Sequence, residues 1–410
     1  MNQKPVHAPL TQFTVDNDRL LIGGKPVAQL AAQVGSTPFY VYERQAMSER
    51  VNALRAALPD AVSIHYAIKA NPMPAVVDYM AGLVDGLDVA SLGEMQVAIA
   101  SGMPAAEISF AGPGKGDAEL AGAIAAGVTI NLESPGELER ALVIGDTLGV
   151  TPQLAVRVNP DFELKSSGMK MSGGPKPFGI DAEVVPGVLA RIGQSSAHFR
   201  GFHIFSGSQN LRPDSLVEAQ NATFDLAYRL ADQAPGPVEM LNIGGGFGIP
   251  YFPGEQRLDL EPVCDNLGGR VDECRQRLDG VEIVMELGRY LVAEAGAYVC
   301  RVVDKKVSRG LTYLVTDGGL HHHLAASGNF GQVIRKNYPV VMAHAVNDGP
   351  RETVSVVGPL CTPLDILGDK MELGRADVGD FVVVLQSGAY GYTASPHLFL
   401  GHPPPKQILV

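Results

Sequence analysis

Residues 62–133 read VSIHYAIKANPMPAVVDYMAGLVDGLDVASLGEMQVAIASGMPAAEISFAGPGKGDAELAGAIAAGVTINLE, and their beat decides the fold. Four short β-rich apolar runs begin at residues 62, 84, 107 and 127. Each is continuous enough to be a strand buried on both faces, as in a parallel sheet covered by helices. Between them, NPMPAVVDYMAGL, SLGEMQVAIASG and GDAELAGAIAAG read as helices. One strand and one helix fit naturally into each repeat.

Working outward, four more runs continue the pattern: QLAVRVNP (153–160), FRGFHIFSG (199–207), EMLNIGGG (239–246) and VEIVMELG (281–288). Eight alternating βα units specify a (β/α)8 barrel of the TIM type better than a doubly wound open sheet, the alternative with similar periodicity. The pattern changes after about residue 296. AYVCRVVDKKV, LTYLVTD, TVSVVG and DFVVVLQ are strand-like and separated by Gly, Pro and Asp, and QFTVDNDRLLIGGKPV near the start reads as strand and turn. The layout expected is an α/β barrel over 37–285, with 1–36 and 286–410 forming a β-rich domain. GHPPPKQILV (401–410) reads as an extended tail.

Composition narrows the function. The net charge of −12 over 410 residues argues against a phosphate-backbone ligand, so no nucleic acid is expected. No apolar run approaches the ~20 residues of a membrane span, and MNQKPVHAPLTQFTVDND lacks the basic and apolar parts of a signal peptide. The four cysteines (Cys264, Cys274, Cys300, Cys361) form no disulfide framework, which places the chain in a reducing cytoplasm.

Barrel enzymes carry their chemistry at the C-terminal ends of the strands. There the runs offer Lys69, Asp88, Glu133, Arg157, His203, a Gly244–Gly245–Gly246 turn, and Glu286 with Arg289. Taken singly, a strand-end Lys is usually solvated and a triple Gly is usually a tight turn. Their convergence on one face is the signal. A Gly-rich turn exposes successive N–H groups to an anion, and IGGGFG falls near strands seven and eight, where barrels often bind phosphate. Ser208 adds a hydroxyl, whereas GPGKGD (112–117) lacks the spacing of a P-loop. A mouth Lys, a phosphate cradle and a buried carboxylate suit pyridoxal 5'-phosphate, with the carboxylate facing the ring nitrogen.

On these residues the chain resembles the fold-type III pyridoxal-phosphate decarboxylases of ornithine, arginine and meso-diaminopimelate. The markers are YAIKAN (66–71), LDVASLGE (87–94), GSQ (207–209), IGGGFG (243–248), ELGR (286–289), GPLC (358–361) and GAYG (388–391), in the family's order. Phe178-Gly179-Ile180 resembles a stretch of the diaminopimelate branch. The resemblance implies an alanine racemase-like barrel and an amino-acid decarboxylase, a carboxy-lyase. It makes Lys69 the Schiff-base lysine, places Asp88 near the cofactor, and has Glu286 bind the pyridine N–H. Ser208, Gly245, Gly246, Arg289 and Tyr390 would hold the phosphate or the substrate's carboxyl end, with Arg157 also on the substrate side. Cys361 would protonate the substrate carbon, reaching in from a partner subunit. The β-rich domain would then complete the site in an obligate homodimer.

Departures from the family fall at two places. The His expected two residues before the Gly-Ser is Phe205, with His203 two residues earlier, so either ring is a candidate for the cofactor face. Thr362 follows Cys361 where the family has Glu or Asp for the distal amine, and Asp365 and Asp317 are the acids left to replace it. The distal-carboxylate Arg expected after DGG (317–319) is missing from LHHHLAASGNF, and adjacent histidines cannot all face one ion, so no metal is expected. Two offshoots of the diaminopimelate branch show similar departures: one accompanies exosortase A gene clusters, the other decarboxylates a glutamyl group on an acyl carrier protein. The expected substrate is therefore an amino acid other than diaminopimelate, free or carrier-linked. A decarboxylase-like regulatory protein without turnover would have lost Lys69 or Cys361, and a racemase would carry a cation in place of Glu286.

Overall fold

The computed structural model describes residues 5–162, 169–170 and 173–410. It divides into two compact units, one of Val51–Gly248 with Leu258–Gly288, the other of Met1–Arg50, Ile249–Arg257 and Arg289–Val410.

The first unit is a closed barrel. Its strands are β1 (Val62–Ala67), β2 (Gly86–Val89), β3 (Ile108–Phe110), β4 (Thr129–Leu132), β5 (Gln153–Asn159), β6 (His198–His203), β7 (Met240–Gly245) and β8 (Glu282–Leu287). All pair in parallel in sequence order, β8 returns to β1, and β4 with β5 completes the ring. All eight runs read from the sequence are these strands. Between them, Ser91 and Ser134 cap helices Leu92–Ala100 and Pro135–Leu148 by accepting the Glu94 and Glu137 N–H groups. Gly127 and Gly149 end helices in the left-handed conformation that glycine adopts most cheaply.

The strands bury both faces. Outward residues such as Leu154 and Val156 are fully buried, and each contributes about 1.5–3 kcal/mol by leaving water. Inside, Ala155, Met240 and Val284 form a small apolar cluster. Above it the lining turns polar, with Asp88, Ser109, Asn131, Arg157, His203 and Glu286 all buried.

The second unit is a mixed β-sheet built around the long strand Gly296–Ser308. That strand pairs with Phe39–Tyr42, Phe381–Val384 and Leu311–Thr316. Phe39, Val41, Ala297, Val299 and Val383 form its core with Leu20, Ile22 and Leu30. The C-terminus differs from the tail expected: Lys406–Leu409 pairs in parallel with Phe39–Tyr42. Three consecutive prolines mask a strand whose last three residues are half-buried. No helix among the described residues is long and apolar enough to cross a membrane.

Candidate active site

Lys69 lies in a single helical turn, Ile68–Ala70, directly after β1. Its Nζ stands 3.3 Å from Glu286 Oε1 on the neighbouring strand β8, and its side chain keeps 45% exposure at the mouth. His203, the last residue of β6, approaches the other carboxylate oxygen, with Nε2 3.1 Å from Oε2. Burial alone would raise the Glu286 carboxyl. The charges of Lys69, His203 and Arg157 outweigh it and hold Glu286 well below the usual carboxylate range. The structure thus separates two residues the sequence left as alternatives: His203 meets the carboxylate, while the Phe205 ring lies 6.0 Å from Lys69 Nζ.

Deeper in the barrel, Asp88 Oδ1 accepts a short hydrogen bond from Ser109 and lies 3.6 Å from His65 Nδ1. Arg157 Nη1 is 2.6 Å from Glu133 Oε1, and its guanidinium stacks over Phe178. Glu133 Oε2 accepts the Gly179 N–H at 2.6 Å, which ties the Phe178–Ile180 stretch to the barrel. Lys115 of GPGKGD is buried beside Glu137 at 2.8 Å and donates to the Gly112 and Asn131 carbonyls. It braces the interior, and nothing in the sequence spacing points to it.

The turn after β7 runs beside the segment after β6. Gly246 has φ +72°, and a Cβ there would lie 2.2 Å from the Gly207 carbonyl. Only glycine permits this approach. Asn210 N–H donates to Gly246 O and Gly248 N–H to Asn210 O, so the two loops are fastened. Ser208, Gly245 and Gly246 therefore lie on two loops held side by side. A mouth amine, a carboxylate held ionised and a glycine cradle are the donor set that pyridoxal phosphate needs.

In the β-rich unit, Arg289 Nη1 donates to Tyr251 Oη at 3.1 Å and its guanidinium lies 4.6 Å from the Tyr390 ring centroid. Burial opposes the charge, but the hydroxyls of Tyr251, Tyr390 and Tyr338 favour it and keep the guanidinium firmly protonated. The Tyr251 and Tyr338 rings meet at a tilt with centroids 4.6 Å apart, and neither was legible as a site residue. Cys361 is exposed and Thr362 half-buried. Asp365 is 2% exposed. Its oxygens accept the Leu320 N–H at 2.6 Å and the Leu360 N–H at 2.8 Å, joining the loop after DGG to the GPLC loop. Asp317 likewise accepts the Arg301 N–H and the Thr37 hydroxyl. His321, His322 and His323 are all buried, and burial lowers them to about 4, 3 and 3, so they are neutral at pH 7.

The family model for the pyridoxal binding domain of pyridoxal-dependent decarboxylases matches residues 44–293. The chain belongs to the pyridoxal-dependent decarboxylases. It is accordingly an amino-acid carboxy-lyase that uses pyridoxal phosphate. This decarboxylase is 37% identical to the L-glutamyl-[BtrI acyl-carrier protein] decarboxylase of Niallia circulans, over 91% of the chain and 88% of that protein. It is 31% identical to the 2-[(L-alanin-3-ylcarbamoyl)methyl]-2-hydroxybutanedioate decarboxylase of Staphylococcus aureus, over 93% of the chain and 96% of that protein. The diaminopimelate decarboxylase of M. jannaschii, solved with L-lysine, superposes with a TM-score of 0.88 at 26% identity, covering 97% of the decarboxylase and 92% of that chain.

Proposed function

We propose that the decarboxylase acts on an amino acid whose distal end is conjugated, with a group tethered to an acyl carrier protein as the first candidate. The observation that carries this reading is the engagement of Asp365. Both its oxygens are taken by the Leu320 and Leu360 N–H groups, and Thr362 is uncharged, so the GPLC loop offers no free carboxylate to a distal ammonium. Two relatives act, by their names, on conjugates: a glutamyl group on a carrier protein, and an alanin-3-yl group joined through a carbamoyl link.

Within this reading Lys69 holds the cofactor covalently and later receives a proton at Nζ. The cofactor, when bound, supplies the electron sink that makes loss of CO2 feasible. Glu286 stays ionised beside Lys69 and His203 and would hold the pyridine N–H of the bound cofactor. Phe205 would offer the cofactor an aromatic face, and Ser208 with Gly245 and Gly246 would hold its phosphate. Arg289, held by Tyr251 with Tyr390 beneath it, orients a carboxylate or phosphate oxygen. Asp88 and Arg157 shape the interior, with Asp88 toward the cofactor and Arg157 toward the substrate. Cys361 delivers the proton to the substrate carbon from a second subunit, which makes the working form a homodimer. A CO2-release screen over free diamino acids and carrier-tethered amino acids tests the reading. Highest kcat/KM on a tethered amino acid supports it, and highest kcat/KM on a free diamino acid overturns it.

A further inference from the structure

We propose that the floor of the barrel, at the strand ends opposite Lys69, binds a divalent metal ion between His65, Glu107 and Glu282. One ligand atom from each of these residues lies within 4.8 Å of the other two. Glu282 opens β8, Glu107 immediately precedes β3, and His65 lies within β1.

The imidazole is the telling group. His65 is 3% exposed, yet its Nε2 has no hydrogen-bond partner. Nδ1 lies 3.6 Å from Asp88 Oδ1. The Nε2 edge sits over Gly86, where a Cβ would come within 2.3 Å of Nε2. A carboxylate behind one nitrogen with the other left for a ligand is the arrangement that orients metal-binding histidines. Glu282 is oriented as well, since its Oε1 accepts the Ser63 hydroxyl at 2.7 Å.

Charge and size favour the same occupant. Three carboxylates, Asp88, Glu107 and Glu282, stand around this one ring. A divalent ion sets two positive charges against them. Ligands of one tetrahedral zinc ion keep about 3.4 Å apart, so rotations of about 1 Å in the two half-buried glutamates close the set. One imidazole and two carboxylates suit Zn2+ with a water in the fourth position. Such an ion ties β8, β1 and β3 together at the end of the barrel that serves stability. It does not depend on the substrate reading.

The test uses the pyridoxal-phosphate-loaded enzyme, stripped with a chelator and titrated with Zn2+ alone. One equivalent per chain and a rise in the thermal midpoint are expected. Glu107→Gln and Glu282→Gln should each weaken binding by more than about tenfold, while Glu218→Gln, on an exposed helix face, should not. Substoichiometric binding, or equal affinity in all variants, overturns the proposal. Should the two variants fail to fold, Co2+ in the unmodified enzyme decides. The intense visible bands of a four-coordinate site support the metal, and the weak bands of a hexahydrated ion overturn it.

Discussion

His203 Nε2 lies 3.1 Å from Glu286 Oε2, on the carboxylate oxygen that Lys69 does not approach. One buried carboxylate therefore has a basic group on each oxygen, drawn from three different strand ends. Glu286→Gln keeps the shape and removes the charge, leaving Lys69 and His203 without their counterion. Decarboxylation should fall by about 10²-fold or more, while absorbance of the lysine-bound cofactor persists. Because the folded state lowers the Glu286 carboxyl, its stabilisation is complete above the unfolded value of ~4.3 and is lost as pH falls through the folded one. The stability gap between wild type and Glu286→Gln should thus stay constant from pH 8 to 5 and narrow below ~4. A gap that narrows already near pH 6 would contradict the lowered carboxyl.

Lys69→Ala should abolish turnover and the absorbance of the linked cofactor, with little change in thermal midpoint, since its side chain is 45% exposed. Cys361→Ala should also be inactive. Mixing the two inactive proteins and allowing subunit exchange should restore about a quarter of wild-type activity, because half the dimers then hold one intact site. Exchange without recovery would mean that each chain completes its own site.

Thr362→Glu places a carboxylate beside Cys361. A charge-assisted hydrogen bond contributes ~1.5–3 kcal/mol, so kcat/KM for a diamino acid should rise by one to two decades. The same change should lower kcat/KM for the conjugated substrate. Efficient diaminopimelate turnover by the unmodified enzyme would refute the substrate reading and leave the decarboxylase intact.

The buried histidines of the β-rich unit set an acid limit. Burial lowers His321, His322 and His323 to about 4, 3 and 3, whereas in the unfolded chain they protonate near ~6.5. Their contribution is complete above pH ~6.5 and is lost on acidification toward the folded values, each at about 1.4 kcal/mol per pH unit. His323→Gln should reduce proton uptake on unfolding by about one between pH 6 and 4, read from the pH dependence of urea unfolding. An unchanged uptake would show that His323 is protonated in the native state.

The barrel strands were legible because each is a short apolar run bounded by turns, repeated eight times. Lys69 and Glu286 were legible because strand ends are where barrels do chemistry. Other residues were hidden by distance along the chain. Tyr251 carries Arg289 across 38 residues, and no local pattern links them. Asp365 looked available for a substrate amine, but its backbone partner Leu320 comes from 45 residues away.

Alone, the sequence determined what periodicity and local chemistry encode: eight parallel strands in order, a lysine and a carboxylate at their ends, and a glycine turn. Tertiary structure decided the states of those groups. Glu286 is ionised because Lys69, 217 residues away, and His203 are brought to opposite sides of one buried carboxyl. Asp365 is tied into the fold because two backbone N–H groups, of Leu320 and Leu360, reach its oxygens. His65 faces Glu282 only because barrel closure sets β8 beside β1. Charge and hydrogen bonding act through space over a few ångströms, and only the closed barrel and folded sheet bring these residues that near.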